Sequence, residues 1–317
     1  MTLGDVTLHP VRIPMRVRFR RVSWREAVLI EGAAGWGEFS PFPEYPPTVT
    51  ARWLAAGLEA AVREWPAAVR DTVAVNVTIP AVDPEVAFHT VIESGCRTAK
   101  VKVAEPGDDP GLDHDRLAAV RQALGPEGKL RIDVNAQWSV NEATERIESL
   151  SVFDLEYVEQ PVATVEELVE LRGRVDVLIA ADESVRSADD PMEVVERGGA
   201  DLLILKVQPL GGVRRTLDLA QRAGLPTVIS SALETSIGLA AGLAAAGALP
   251  SLPYACGLAT AALLEGDVTT DPLHPVDGEI RIRRPAPDRD LLERWRADPE
   301  TERRLLRRLR AAAELLT

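Results

Sequence analysis

Cysteine is almost missing from this chain: Cys96 and Cys256 are the only two in 317 residues. Two cysteines so far apart exclude a disulfide framework and a zinc-ligand cluster, and are expected to be buried small hydrophobes. Histidine is nearly as sparse. His9, His89, His114 and His274 are scattered and never repeat at ligand spacing, so structural or surface places are expected. Long apolar runs are lacking too. The longest, "GLAAGLAAAGALP" from Gly238 to Pro250, is rich in alanine and glycine. It is well short of the ~20 residues that a membrane span needs. The opening "MTLGDVTLHPVRIPM" has no apolar core of the signal-peptide kind. A basic surplus is the last absence, since 36 Lys and Arg face 49 Asp and Glu, a formal net charge of −13. Nucleic acid and anionic membranes reward a basic surface, so neither is expected as a partner, although a local site can still take an anionic small molecule. A soluble, reduced, cytoplasmic protein is the expectation, and no sequence feature sets an oligomeric state.

What is present divides into two patterns. The first ~70 residues carry strand-like runs, "DVTLHPVRI" and "REAVLIEGAAGWGEFSPF", and then a helix, "VTARWLAAGLEAAVREW". Strands followed by a helix suggest a small α+β unit, assigned to residues 1–70. From about Val73, short β-rich runs alternate with helical stretches: "VAVNVTI", "AKVKV", "LRIDVN", "LEYVE", "VLIAADE", "DLLILKV" and "PTVIS". Between them, Ser139 with Glu142 and Thr164 with Glu167 fit the capping-box pattern. Val165, Leu168 and Val169 form one apolar helical stripe; Val213, Leu217 and Ala220 form another. Alternation of this kind implies a parallel sheet with helices outside, open or closed into a barrel. Beyond "DGEIRIRR" a charged helical tail, "ERRLLRRLRAAAELLT", is expected to lay its leucines on the rest of the protein.

The sharper signal is the placing of charge. Lys102, Asp133, Glu159, Asp182 and Lys206 each fall near the end of a successive candidate strand, at spacings of 31, 26, 23 and 24. Each spacing approximates one β/α unit, comparable with the ~31 residues per unit of a ~250-residue eightfold barrel. A site at the C-terminal face of a parallel sheet gathers such residues. Three carboxylates brought together repel one another unless a cation neutralises them, and an oxygen-only set suits a hard ion such as Mg²⁺. In "TAKVKVAEP", Lys100 and Lys102 lie on one face of the strand. That face is either solvent, or a buried place where Lys100 repels the proton on Lys102 and tunes it as a base.

The motifs "KVK", "DVN", "EQP", "DES" and "LKVQPLGG", in this order, resemble the enolase superfamily, muconate-lactonising-type subgroup, over essentially the whole chain. The resemblance implies a modified TIM barrel, (β/α)7β, over residues 71–285. It implies an α+β capping domain from residues 1–70, to which 286–317 return. It implies Asp133, Glu159 and Asp182 as Mg²⁺ ligands and Lys102 and Lys206 as the acid/base pair, working on a small-molecule carboxylate through an enediolate. It also favours the buried reading of the two lysines. Within the subgroup, "ISSALETSIG" (Ile229 to Gly238) and "GWGEFSPFPEY" (Gly35 to Tyr45) imply syn dehydration of 2-succinyl-6-hydroxy-2,4-cyclohexadiene-1-carboxylate, a menaquinone-pathway step. Ser230, Ser231 and nearby backbone N–H groups would take a substrate carboxylate, or else serve as an N-cap. The second stretch would close over the barrel. Asn135 would contact substrate or orient a ligand.

Departures and rivals remain in view. Ala259, in the expected last strand "YACGLATAA", stands where many relatives would carry an acid. The basic "RVRFRRVSWR" segment offers arginine to the substrate without singling one out. "PGDDPGLDHD" reads as a solvated turn, and "PLGGVRR" as a weak anion site or a place of close packing. An N-acylamino acid racemase or dipeptide epimerase would use the same lysine pair. A metal-binding barrel without catalysis is the remote alternative.

Overall fold

The sequence's long strand run at residues 25–42 is broken by a turn, and that break organises the N-terminal part. In the computed structural model, which describes residues 3–19, 22–107, 109–188 and 190–316, β1 (Thr7–Phe19), β2 (Val22–Gly32) and β3 (Gly35–Phe39) form an antiparallel sheet in that order. Gly35 turns the chain at φ +132°, where side chains are disfavoured. Helix α1 (Pro47–Val62) then crosses the sheet so closely that a Cβ on Gly37 would lie 1.9 Å from the Gly57 carbonyl oxygen. Gly37→Ala is therefore expected to destabilise the protein by about 1–3 kcal/mol, the usual cost of overpacking. A urea midpoint unchanged from wild type would mean that α1 lifts off β3 at no cost.

The chain continues through β4 (Thr72–Ala74), β5 (Val77–Ile79), α2 (Pro84–Ser94), β6 (Thr98–Lys102), α3 (Pro110–Leu124), β7 (Lys129–Asp133), α4 (Val140–Leu150), β8 (Leu155–Glu159), α5 (Val165–Arg172) and β9 (Ile179–Ala181). It follows with α6 (Glu183–Arg186), α7 (Glu193–Glu196), β10 (Leu202–Lys206), α8 (Val207–Leu210), α9 (Val213–Ala223), β11 (Thr227–Ser230) and α10 (Ser236–Ala248). Strands β5 to β11 form one sheet in chain order, every neighbouring pair parallel. The ring is closed by the 256–257 segment: Cys256 bridges Val75 and Gly257 bridges Ser230, both parallel. The architecture is thus the expected parallel β/α barrel with a cap.

Several local expectations are corrected. "VAVNVTI" is two strands, because Thr72–Ala74 leaves the barrel to pair antiparallel with β12 (Glu279–Arg281). "YACGLATAA" supplies only bridges before a short 3-10 turn at Thr260–Leu263. Val169 is exposed; the buried stripe of α5 is Val165, Leu168 and Leu171. "PGDDPGLDHD" is no mere turn, since Asp109 caps α3 and buried Asp113 accepts from the Ala104 N–H and from Arg116. The reciprocal capping box forms at Thr164, whereas at Ser139 only the hydroxyl arm forms. Both cysteines are buried and free.

Finally α11 (Arg289–Arg294) and α12 (Pro299–Ala313) follow, and α12 buries Leu305, Leu309 and Ala312 in the same core as β1, β2 and α1. That core also takes in Ala232, Leu233 and Ile237 from the loop and helix after β11, so cap and barrel share apolar contact above the strand ends. The helix start at "PLGGVRR" receives an anion from within the protein: Glu59 of α1 accepts from the Arg214 N–H and its guanidinium. No helix among the described residues is long and apolar enough to cross a membrane.

Candidate active site

Strand register builds the site. Lys102, Asp133, Glu159 and Ala180 are successive Cα partners across β6 to β9, and Lys206 pairs with Ser230 across β10 and β11. Asp182 follows Ala180 by two residues and so shares its face. Deeper in the barrel, Tyr157, Ala180, Leu202, Ile204 and Val228 pack as a small apolar cluster. Both faces of β6 are buried, which answers the question raised by the two lysines: Lys100 and Lys102 are each only 6% exposed.

The charges interlock. Lys100 Nζ donates to Asp133 Oδ2 at 3.0 Å and to Glu159 Oε2 at 2.7 Å. Lys102 Nζ donates to Asp133 Oδ2 at 2.6 Å and to Asn135 Oδ1, while Lys206 Nζ donates to Asp182 Oδ2 at 2.5 Å. Arg186, one helical turn beyond Asp182, gives Nε to Asp182 Oδ1 at 3.1 Å and Nη1 to the Tyr45 hydroxyl of the cap at 2.8 Å. Gln160, the middle residue of "EQP", accepts from the Asp182 and Ser184 N–H groups and so fixes the loop that carries Asp182. Asn135 Nδ2 reaches Glu183 at 3.1 Å.

Burial and neighbours set the protonation. Burial lowers the Lys102 pKa; Asp133 opposes that shift and Lys100 adds to it. Burial works against charge on Lys100 as well, yet Asp133 and Glu159 beside it hold its pKa above the ordinary lysine value. Asp133 and Asp182 are kept well ionised against burial, the first by Lys100 and Lys102, the second by Arg186 and Lys206. Glu159 is pushed up to about 7 by burial and by the Asp133 carboxylate.

Among the described residues no three acidic, histidine or cysteine side chains are gathered as a ready cation site, because ammonium groups stand on the carboxylates. Yet Glu159 Oε1 is buried without a partner among the described residues, and the donors on three adjacent strands are all hard carboxylate oxygens. That chemistry fits a divalent cation.

Above the lysines lies a cavity of about 30 Å³, the room of one water, walled by Lys102, Lys206, Ser230, Ser231 and Thr260 and roofed by Phe19 and Phe42 of the cap. Lys102 Nζ is 5.5 Å from the Phe19 ring centroid. Ser231 shares a 2.5 Å hydrogen bond with Thr260, and Ser230 donates to the Gly257 carbonyl. Neither serine caps α10; Thr235 does. A cleft of about 750 Å³ adjoins at Asn135, Glu183 and Arg186, with Tyr45 on its cap side. Sequence reasoning did not single out Gln160, Arg186, Tyr45 or Thr260 as site residues, although Gln160 lies in "EQP" and Tyr45 in the stretch expected to close over the barrel. Arg186 had a further signal, its i+4 spacing from Asp182.

Comparisons with known proteins give the family. The family described as enolase C-terminal domain-like matches residues 85–288, and enolase N-terminal domain-like matches residues 11–61. The chain belongs to the enolase superfamily. Among superfamily relatives, the o-succinylbenzoate synthase of Thermobifida fusca (strain YX) is 58% identical over 95% of this chain and 95% of its own length. The o-succinylbenzoate synthase of Mycolicibacterium smegmatis is 52% identical over 89% of this chain and 87% of its own. In fold, the superfamily chain is similar to muconate lactonizing enzyme from Pseudomonas fluorescens, with a TM-score of 0.79, 21% identity and coverage of 92% and 98% of the two chains. It is similar also to the dipeptide epimerase of Enterococcus faecalis V583, with a TM-score of 0.73, 22% identity and coverage of 89% and 97%.

Proposed function

We propose that the chain is an o-succinylbenzoate synthase, a cytoplasmic, Mg²⁺-dependent lyase of menaquinone biosynthesis. In this reading it removes water by syn elimination from 2-succinyl-6-hydroxy-2,4-cyclohexadiene-1-carboxylate. The observation that carries the reading is the pair Lys102 and Lys206, buried in one small cavity and hydrogen-bonded to Asp133 and Asp182 respectively. Neutral Lys102 takes the proton alpha to the ring carboxylate and returns it to the departing hydroxyl, so that water leaves and the ring aromatises. Burial holds its pKa below the ordinary lysine value, the direction that favours the neutral form a base needs. Lys206 faces the same cavity and offsets developing negative charge. Asn135, bonded to the Lys102 ammonium, orients the base. Asp133, Glu159 and Asp182 would hold the cation, which supplies Lewis-acid stabilisation of charge on the substrate carboxylate when bound. Ser230 and Ser231 accommodate the carboxylate of the succinyl tail. Because the cavity is far smaller than this substrate, the cap segments bearing Phe19 and Phe42 must part to admit it.

The test is turnover of the cyclohexadiene substrate with Mg²⁺, followed by absorbance, beside an EDTA-treated sample. No turnover from folded, Mg²⁺-loaded protein would reject the substrate and make inversion of N-succinylamino acids the next assay. A finer expectation concerns Lys100. Its positive charge disfavours the Lys102 ammonium, so Lys100→Met should raise the Lys102 pKa. The base must be neutral to act, and the acid limb of kcat/KM should accordingly move to higher pH. An unmoved limb would leave burial as the sole tuner.

A further inference from the structure

The basic segment from Arg16 to Arg25 offered an arginine to the substrate; Arg20 and Arg21 lie outside the described residues, and Arg25 is used otherwise. It stands on β2, only 3% exposed, with Phe42 stacked 4.9 Å from its guanidinium carbon. Its Nε donates to the Leu233 carbonyl at 2.7 Å, and its Nη2 to the carbonyls of Ala232, at 3.1 Å, and Ser40. Ala232 and Leu233 belong to the turn that follows Ser230 and Ser231 in the cavity wall. The guanidinium thus grips the outer side of this turn from the cap.

The grip has a geometric consequence. A trans peptide holds its N–H opposite its C=O. With the Ala232 carbonyl bound to Arg25, the Leu233 N–H points away from the guanidinium. Leu233 is 2% exposed, and its N–H has no acceptor among the described residues. Leu233 also holds φ +65°, a conformation that a branched side chain adopts only when its surroundings impose it. A buried donor without a partner is costly unless a ligand completes it. Two nearby N–H groups are already taken: Ala232 by the Glu234 carboxylate, Thr235 by Glu38 of the cap.

We propose that Arg25 is a positioning residue that fixes the Ala232–Leu233 turn, so that the Leu233 N–H joins the hydroxyls of Ser230 and Ser231 in holding the succinyl carboxylate. The proposal rests on the reading of the serine turn given above. Arg25 never touches the substrate. Its effect is on binding of the tail, while the chemistry at Lys102 is untouched.

Arg25→Lys keeps the charge but loses the planar fork that serves several carbonyls at once. Arg25→Gln is a second variant, used beside it so that a failure of one to fold leaves the other. In whichever variant melts as a folded protein, KM for the cyclohexadiene substrate should rise about tenfold or more, the worth of a hydrogen bond to a charged group, with kcat within about threefold. Affinity for o-succinylbenzoate should fall by the same factor, while affinity for benzoate, which lacks the tail, should not change. A residue that merely glues cap to barrel would lower the melting temperature without separating the two ligands. Unchanged KM in a folded variant, or equal losses for both ligands, overturns the part given to Arg25. Wild-type protein that neither turns over the substrate nor binds o-succinylbenzoate removes the reading beneath it instead.

Discussion

Lys102→Ala is expected to keep its fold and lose about 10³–10⁴ in kcat, the upper range for removal of a general base. Position and environment both argue for a loss this large. Lys102 is buried in the cavity, hydrogen-bonded to Asp133 and Asn135, and covered by the Phe19 ring. Lys206 shares the cavity but stands on Asp182, and Lys100 is tied to both Asp133 and Glu159. Lys102→Arg separates the two things a lysine offers. A guanidinium keeps the positive charge beside Asp133 but stays protonated at any working pH, so it cannot abstract a proton. The arginine variant should therefore be about as inactive as the alanine variant while melting closer to wild type. If it instead keeps more than about a tenth of wild-type kcat, Lys102 acts by charge, and the base must be sought elsewhere.

The residues in this prediction were legible because they obey a short-range rule. Strand alternation puts Lys100 and Lys102 on one face, and a charged residue at each strand end needs only the β/α spacing to be read as a ring. The same alternation implied a parallel β/α sheet; its closure into a barrel came from the family resemblance, since an open sheet fits the alternation equally well. What escaped depends on contacts between distant segments. Arg25 meets Leu233 across 208 positions, and Glu38 meets Thr235 across 197. No periodicity marks such partners, and an arginine in a basic run looks no different from its exposed neighbours. The split of "VAVNVTI" escaped for a related reason. Whether three residues join the barrel or pair with β12 is decided by a partner some two hundred residues away. Val169 shows the limit even of periodicity, since Val169 and Leu171 are both apolar and only packing selects Leu171 for burial.

Glu159→Gln should match chelation of the divalent cation in its effect on turnover, a loss of about 10³, because Lewis-acid stabilisation is worth several kcal/mol and each 1.36 kcal/mol is tenfold. Glu159 is fully buried, with Oε2 on Lys100 and Oε1 without a partner among the described residues. Glutamine can still accept from Lys100, but it withdraws one negative charge from the donors and faces the cation with an amide. Stability supplies a readout independent of activity. Mg²⁺ at a hundred times its Kd stabilises a protein that binds it only when folded by about 2.7 kcal/mol. Wild type should show that rise in melting temperature and the glutamine variant should not. Without the cation the order is expected to reverse. The Glu159 pKa is raised from 4.5 to about 7, so the folded protein holds a proton that the unfolded chain releases above about 4.5. Stability from this group is therefore present at low pH and lost as pH rises through about 7, and glutamine removes that loss. At pH 8 in EDTA the variant should melt at or above wild type, and added Mg²⁺ should put wild type ahead. A glutamine variant that Mg²⁺ stabilises as fully as wild type would show that the cation is held without Glu159.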